Sequence, residues 1–187
     1  LGDVYKRQVY ESASYPFSPV DRASAIASIA TGTTPHYNNI VSSQWLDRNT
    51  LQPIFCTDDG NGGDSPKMMA TSTIGDELKV ATRGNALVYS VATDKDAAIL
   101  AGGHAAYGAF WISEKSGRWS TCSYYSTASQ NLLRAYNNTQ SYNADNDAVE
   151  KLAEACINDM GMGRDNITDL LSITLSAKVK DLSLIHI

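Results

Sequence analysis

Ala86-Leu87-Val88-Tyr89-Ser90-Val91-Ala92 is a nearly continuous apolar run between polar neighbours. It has the length of a strand, and its apolar residues do not alternate with polar ones. Such a run marks a strand buried on both faces, as in a parallel sheet. Working outward, Asp94 to Leu100 reads as one or two helical turns. On the other side, Thr73 caps a helix with Asp76 three residues on, and Ile74, Leu78 and Ala81 fall on one side of it. Downstream, Tyr107 to Ile112 and Arg118 to Tyr125 read as two strands joined through Ser116-Gly117. Ser129 to Asn137 reads as a short helix. The clearest helix runs from Asn146 to Met160, with Val149, Leu152, Ala153, Cys156 and Ile157 on one face, and Leu170 to Leu175 follows as a final buried strand.

Upstream, Ser18-Pro19-Val20-Asp21 starts a helix, with Ser18 as N-cap, Pro19 at the first helical position and Asp21 closing a capping box. Its stripe is Ala23, Ile26, Ala27 and Ala30, and Gly32 ends it. The small residues imply close packing on a sheet. Trp45 to Ile54 reads as a hairpin, and the Gly- and Asp-rich stretch Cys56 to Lys67 as an exposed loop. Helices alternating with apolar strands give an α/β fold with a mainly parallel sheet flanked by helices, interrupted by an inserted hairpin or cap region.

The bulk numbers agree with a globular domain: 43% hydrophobic and 19% charged residues in a chain of 187. A net charge of −5 argues against a nucleic-acid partner, and no apolar run approaches the roughly 20 residues of a membrane span. Cys56, Cys122 and Cys156 are widely spaced with no Cys-x-x-Cys, so they read as small buried packing residues rather than metal ligands; one disulfide stays open, with no partner chosen. The terminal stretches 1–8 (LGDVYKRQ) and 182–187 (LSLIHI) resemble translated sequencing-adapter sequence of the kind seen at the ends of metagenomic reading frames. Both are set apart, leaving 9–181 as a partial domain.

Ala30-Thr31-Gly32-Thr33-Thr34-Pro35-His36-Tyr37-Asn38-Asn39-Ile40-Val41, leading to Trp45, resembles the segment after the nucleophile helix in alkaline phosphatases of the type I phosphodiesterase and nucleotide pyrophosphatase group. Further blocks match the same group in order: Ser65 to Lys67, Thr73 to Lys79, Ala98 to His104, Gly108 to Trp111, Thr121 to Tyr125 and Asp169 to Thr174. Within it the chain is similar in particular to the phosphate-irrepressible alkaline phosphatases of Bacteroidetes-type bacteria. The resemblance implies the N-terminal half of an alkaline phosphatase-like domain. It also implies a two-zinc hydrolase of phosphate esters, located in the periplasm or outside the cell. In that chemistry a Thr or Ser at a helix N-terminus attacks phosphorus, activated by zinc and helped by the helix N–H groups.

Carried over residue by residue, the resemblance fails at the site. The nucleophile position falls on Arg22, which cannot be deprotonated. The phosphate-binding Asn falls on Ser43. A Lys-x-Arg pair falls on Asp94 and Asp96, around Lys95, which reverses the local charge. Of the metal ligands, the first lies upstream of Val9, and the next falls on Val179, with Asp181 two residues further as a weak substitute; no zinc is expected on this chain itself. The stretch from Tyr125 to Asn146 is also shorter than in active relatives.

Several residues have plainer readings. His104 is expected to be a structural hydrogen-bonding histidine, His36 a solvated or packing residue in a loop, and Asp94 and Asp96 acids favoured at any helix N-terminus. The Asp58-Asp59 and Asp64 loop lacks the spacing of an EF-hand calcium loop. Trp111, Tyr124 and Tyr125 are read as packing on the sheet or as pocket lining. The expectation for function is a fragment of a catalytically degenerate alkaline phosphatase family protein. The alternative is an active metal-dependent phosphodiesterase or phosphatase with a rearranged site, using Asp21 or Ser24 as nucleophile.

Overall fold

The computed structural model describes residues 12–139 and 145–176. The terminal stretches 1–8 and 182–187, together with Val179 and Asp181, lie outside the described residues. Element order is α1 (Arg22–Thr31), α2 (Pro35–Asn38), β1 (Gln44–Leu46), β2 (Pro53–Phe55), α3 (Ile74–Ala81), β3 (Val88–Ala92), α4 (Lys95–Gly102), β4 (Gly108–Ile112), β5 (Trp119–Ser120), α5 (Thr127–Thr139), α6 (Asn146–Met160) and β6 (Leu170–Thr174).

The main sheet has the order β5-β4-β3-β6. β3 is parallel to both neighbours, with Ser90 opposite Ala109 on β4 and Ser172 on β6; β5 runs antiparallel to β4. All five residues of β3 are buried, as an unbroken apolar run at the sheet centre requires. One face carries Tyr89, Val91, Phe110 and Ile112 against Leu132 and Leu133 of α5 and Val149, Leu152, Ala153 and Cys156 of α6. The other face carries Ala92, Ala109 and Trp111 against Ala97, Ala98 and Ile99 of α4. Beyond α4 lies α1, where Ala23 and Ala27 pack with Leu100, Ile40, Cys56 and Met69. Because α4 is covered by the sheet on one side and α1 on the other, Ala97 through Gly102 are all buried, and the helix beyond its first turn is apolar all round. β1 and β2 form the separate antiparallel hairpin, Trp45 opposite Ile54.

Some local readings change. The cap of α1 is Asp21, not Ser18: its carboxylate accepts from Ser24 N at 2.8 Å, and Ser24 closes the capping box. Asp21 wins because its second oxygen also serves Ser42 and Ser43, donors that Ser18 does not meet. Ser24 therefore stands in the first turn of the helix. Helix α3 is capped by Thr73 with Asp76 as expected, but it buries Gly75 and Asp76 while Ile74 and Val80 face out. Here polar knotting, described below, sets the buried side rather than the apolar stripe.

The strand at Arg118 shrinks to Trp119–Ser120, after which the chain turns. The loop from Cys56 is not exposed throughout, since Cys56, Thr57, Ser65 and Pro66 are buried. His36 lies in α2 rather than in a loop, exposed, with its ring edge-on to that of Tyr37. Ile157 points outward, and β6 is half-buried because no described strand covers its outer edge. Cys56, Cys122 and Cys156 are buried free thiols.

The α3 and α4 ends touch at Gly103, which has φ 79° and ψ −163°, a backbone region open to glycine. A Cβ there would run into Thr73 Oγ1 and come within 2.9 Å of Asp76 Oδ2. Gly117, at φ 63°, has open space around it. Gly103→Ala is expected to cost roughly 3 kcal/mol or more, combining strain with overpacking. Gly117→Ala should cost about 1–2 kcal/mol, from strain alone. Urea denaturation of the two variants checks the difference.

Candidate functional site

Three helix N-termini converge beyond the carboxyl ends of β3, β4 and β6, the place where open α/β sheets bind ligands. Helix α1 brings Arg22, α4 brings Asp94 to Asp96, and α6 brings Asp145 to Asp147. Between them is a crevice with two adjoining lobes of about 610 and 480 Å³. Arg22, Thr93, Asp94, Ile112, Ser113 and Glu114 line both. One lobe extends to Asp145, Asn146, Asp147 and Ser176, the other to Asp64, Lys95, Asp96, Trp111 and Lys115.

Arg22 and Asp94 meet across the crevice, with Arg22 Nη1 donating to Asp94 Oδ2 at 2.9 Å. Thr93 Oγ1 also hydrogen-bonds Asp94 Oδ2, at 3.1 Å, and pairs at 2.7 Å with Ser176 Oγ, closing the wall between β3 and the end of β6. Lys95 Nζ donates to Asp64 Oδ1 at 2.7 Å. Burial pushes the Asp96 carboxyl above its ordinary value, against the pull of Lys95, a hydrogen bond with the Cys56 thiol, and Arg22. Of the walls' charges, six are carboxylates (Asp64, Asp94, Asp96, Glu114, Asp145, Asp147) and three are cations (Arg22, Lys95, Lys115). Arg22 and Lys95 are already paired.

Two of the three helix ends are occupied by the chain's own anions. Asp145 Oδ1 accepts from Ala148 N at 3.0 Å and caps α6. Asp21 caps α1 through Oδ1, while its Oδ2 accepts from Ser42 Oγ and Ser43 N, both at 2.7 Å. Partial burial works to raise the Asp21 carboxyl, and the donors of Ser24, Ser42 and Ser43 outweigh it, bringing it down to about 2. Ser24 is fully buried, its hydroxyl shared between the backbone N–H and carbonyl of Asp21.

Of the residues picked from sequence, Arg22, Asp94 and Asp96 come together on the crevice. Ser43 lies behind them, joined to Asp21 through its backbone. Trp111 lines one lobe, whereas Tyr125 is buried under α4, its hydroxyl donating to the Gly103 carbonyl at 3.2 Å. His104 stands apart, held by Asp76 and the Met69 carbonyl. Sequence reading missed the Lys95–Asp64 pair and the wall built by Thr93, Ser176 and Asn146. Only Asp145, an Asp directly before a strongly periodic helix, had a readable signal.

The donor set does not suit a pair of zinc ions. Among the described residues, no three of His, Cys, Asp and Glu stand close enough to hold a metal, and the crevice has no imidazole. Its carboxylates Asp94 and Asp64 are engaged by cations.

A family model described as type I phosphodiesterase / nucleotide pyrophosphatase matches residues 4–177. The chain belongs to this family. Alkaline phosphatase PhoV of Synechococcus elongatus is 32% identical over 125 residues, 62% of this chain and 23% of that protein. Alkaline phosphatase PafA of Elizabethkingia meningoseptica is 29% identical over 133 residues, 65% of this chain and 24% of that protein. The crystal structure of wild-type alkaline phosphatase PafA superposes with a TM-score of 0.74 at 22% identity, covering 82% of this chain and 43% of that one. The fold is therefore that of part of an alkaline phosphatase, and the chain spans about a quarter of the length of the curated relatives it matches.

Asp21→Ala removes a helix cap and the acceptor for Ser42 and Ser43. A loss of roughly 1–3 kcal/mol is expected at pH 7. Because the folded-state carboxyl lies below its ordinary value of 3.8, this stabilisation is present above that pH and is lost as pH falls toward 2. The gap between wild type and variant in urea titrations should close over that range.

Proposed function

We propose that this chain comes from a catalytically degenerate member of the phosphodiesterase family, with its phosphate crevice filled by its own charges. The observation that carries the reading is the 2.9 Å pair between Arg22 and Asp94. By resemblance, Arg22 stands where the nucleophile would, and Asp94 where a phosphate-binding cation would. A guanidinium keeps its proton at any pH the fold survives, so it cannot act as a nucleophile. Asp94 and Asp96 put negative charge where a phosphate dianion would need positive charge.

The other candidate nucleophiles fare no better. Ser24 is buried within its capping box, and the Asp21 carboxylate already serves Ser24, Ser42 and Ser43. Helix ends that would favour a substrate anion hold aspartates instead. The parent is proposed to keep the family's location in the periplasm or outside the cell and to recognise ligands without turning them over. Among the described residues no helix is long and apolar enough to cross a membrane.

The test is hydrolysis by the whole protein that carries this chain, supplied with zinc, of an aryl phosphate monoester and of an aryl phosphate diester. Neither should be hydrolysed above the uncatalysed rate. Turnover that Arg22→Ala abolishes would overturn the proposal and favour an active metal-dependent phosphodiesterase with a rearranged site.

A further inference from the structure

The ring of His104 lies between two acceptors. Nε2 is 3.0 Å from the Met69 carbonyl oxygen, and Nδ1 is 3.1 Å from Asp76 Oδ2. A carbonyl oxygen accepts and never donates, and an ionised carboxylate does the same. The Asp76 carboxylate is ionised by its setting: it also accepts from Thr73 N at 2.8 Å and Ala105 N at 2.6 Å. Both ring nitrogens must therefore donate. A neutral imidazole has one N–H, and either neutral tautomer would set a nitrogen lone pair against an oxygen lone pair.

We infer that His104 is a charged imidazolium that latches three segments together — the Met69 stretch, the N-terminus of α3 and the α4–β4 connection — and that loss of its proton breaks its bond to the Met69 stretch. The step is a single deprotonation. The Nδ1 proton stays with the charged acceptor Asp76, and the Nε2 proton leaves to water, so the bond to Met69 is the one lost. A hollow of about 480 Å³ beside the ring gives solvent access, and 32% of the side chain is exposed. Met69 packs in the core under α1 with Ala23 and Ala27, so the latch reaches the helix that carries Arg22.

The charges facing the ring set the direction of its titration. From α3 comes Asp76, in direct contact. Lys79 and, after α3, Arg83 line the same hollow. Lys79 is turned away, with Nζ on the Gly84 carbonyl at 3.1 Å and 3.5 Å from the centre of the Tyr107 ring. Tyr124 donates its hydroxyl to the carbonyl of His104, not to the ring, and the Met69 stretch presents its carbonyl. Asp76 dominates: its hydrogen bond raises the His104 pKa above the ordinary 6.5, against the desolvation that lowers it. Burial in turn pushes Asp76 up, and the donors of His104, Thr73 and Ala105 bring it to about 2.

The signs follow. The His104 contribution is complete below pH 6.5 and is lost as pH rises through the raised pKa. The Asp76 contribution is complete above pH 3.8 and is lost as pH falls toward 2. The latch is thus fully closed between those limits.

The experiment is long-range proton–nitrogen NMR of the chain labelled at histidine nitrogen, with the His104 signals assigned by their loss in His104→Gln. At pH 6.0 both ring nitrogens should be protonated, and titration should proceed in one step, centred above 6.5, to a neutral ring protonated at Nδ1. A neutral ring at pH 6.0, or a midpoint at or below 6.5, overturns the inference. In urea, His104→Gln should lower the folding equilibrium constant at least tenfold below pH 6.5, with the gap closing above the midpoint. A gap that does not change with pH overturns it as well. Should the variant not fold, the wild-type titration decides alone.

Discussion

Asp21 has one carboxylate and three donors to serve, and the geometry of the crevice follows from how it does so. One oxygen caps the first turn of α1, in which Arg22 is the first helical residue. The other accepts from Ser42 and Ser43, which lead directly into the hairpin strand β1. The same device recurs at Asp76, which caps α3 and binds the α4–β4 connection through Ala105 and His104. In each case a helix end that would attract a foreign anion is given an internal one, and a loop distant in sequence is pinned by the spare oxygen. Carboxylates in this role are strong fasteners, because each bond is charge-assisted.

The crevice itself is a charge balance rather than a packing problem. Two ion pairs, Arg22 with Asp94 and Lys95 with Asp64, cross its walls while remaining partly exposed, so each is worth little in stability, about 0–1 kcal/mol. Their importance is positional. They engage Arg22 and Lys95, and leave Lys115 beside Glu114, Asp145 and Asp147 on the walls.

Much of the fold was legible because its strongest signals are local. The apolar run at Ala86 to Ala92 and the periodic helix from Asn146 to Met160 need nothing else to be read. Two of the errors share a cause: they occur where a tertiary polar contact overrides a local pattern. Ser18 had the better sequence context for a cap, yet Asp21 caps because Ser42 and Ser43 lie near it in space. The apolar side of α3 was misjudged because the buried side is set by Thr73 and Asp76 meeting Gly103 and His104, about 30 positions away. The site was legible only as substituted positions. That Arg22 reaches Asp94 across 72 positions is a fact of the fold, and no spacing rule announces it.

Helix α4 divides sharply along its length. Residues 94 to 96 stand at the open end of the sheet, half in solvent, while every position from Ala97 to Gly102 is sealed between β-sheet and α1. A substitution at Asp94 changes the charge of the crevice, whereas one at Asp96 also removes a hydrogen bond to the buried Cys56. Substitutions one turn later force the layers apart. One short helix therefore carries both a charged wall of the crevice and a sealed layer of the core.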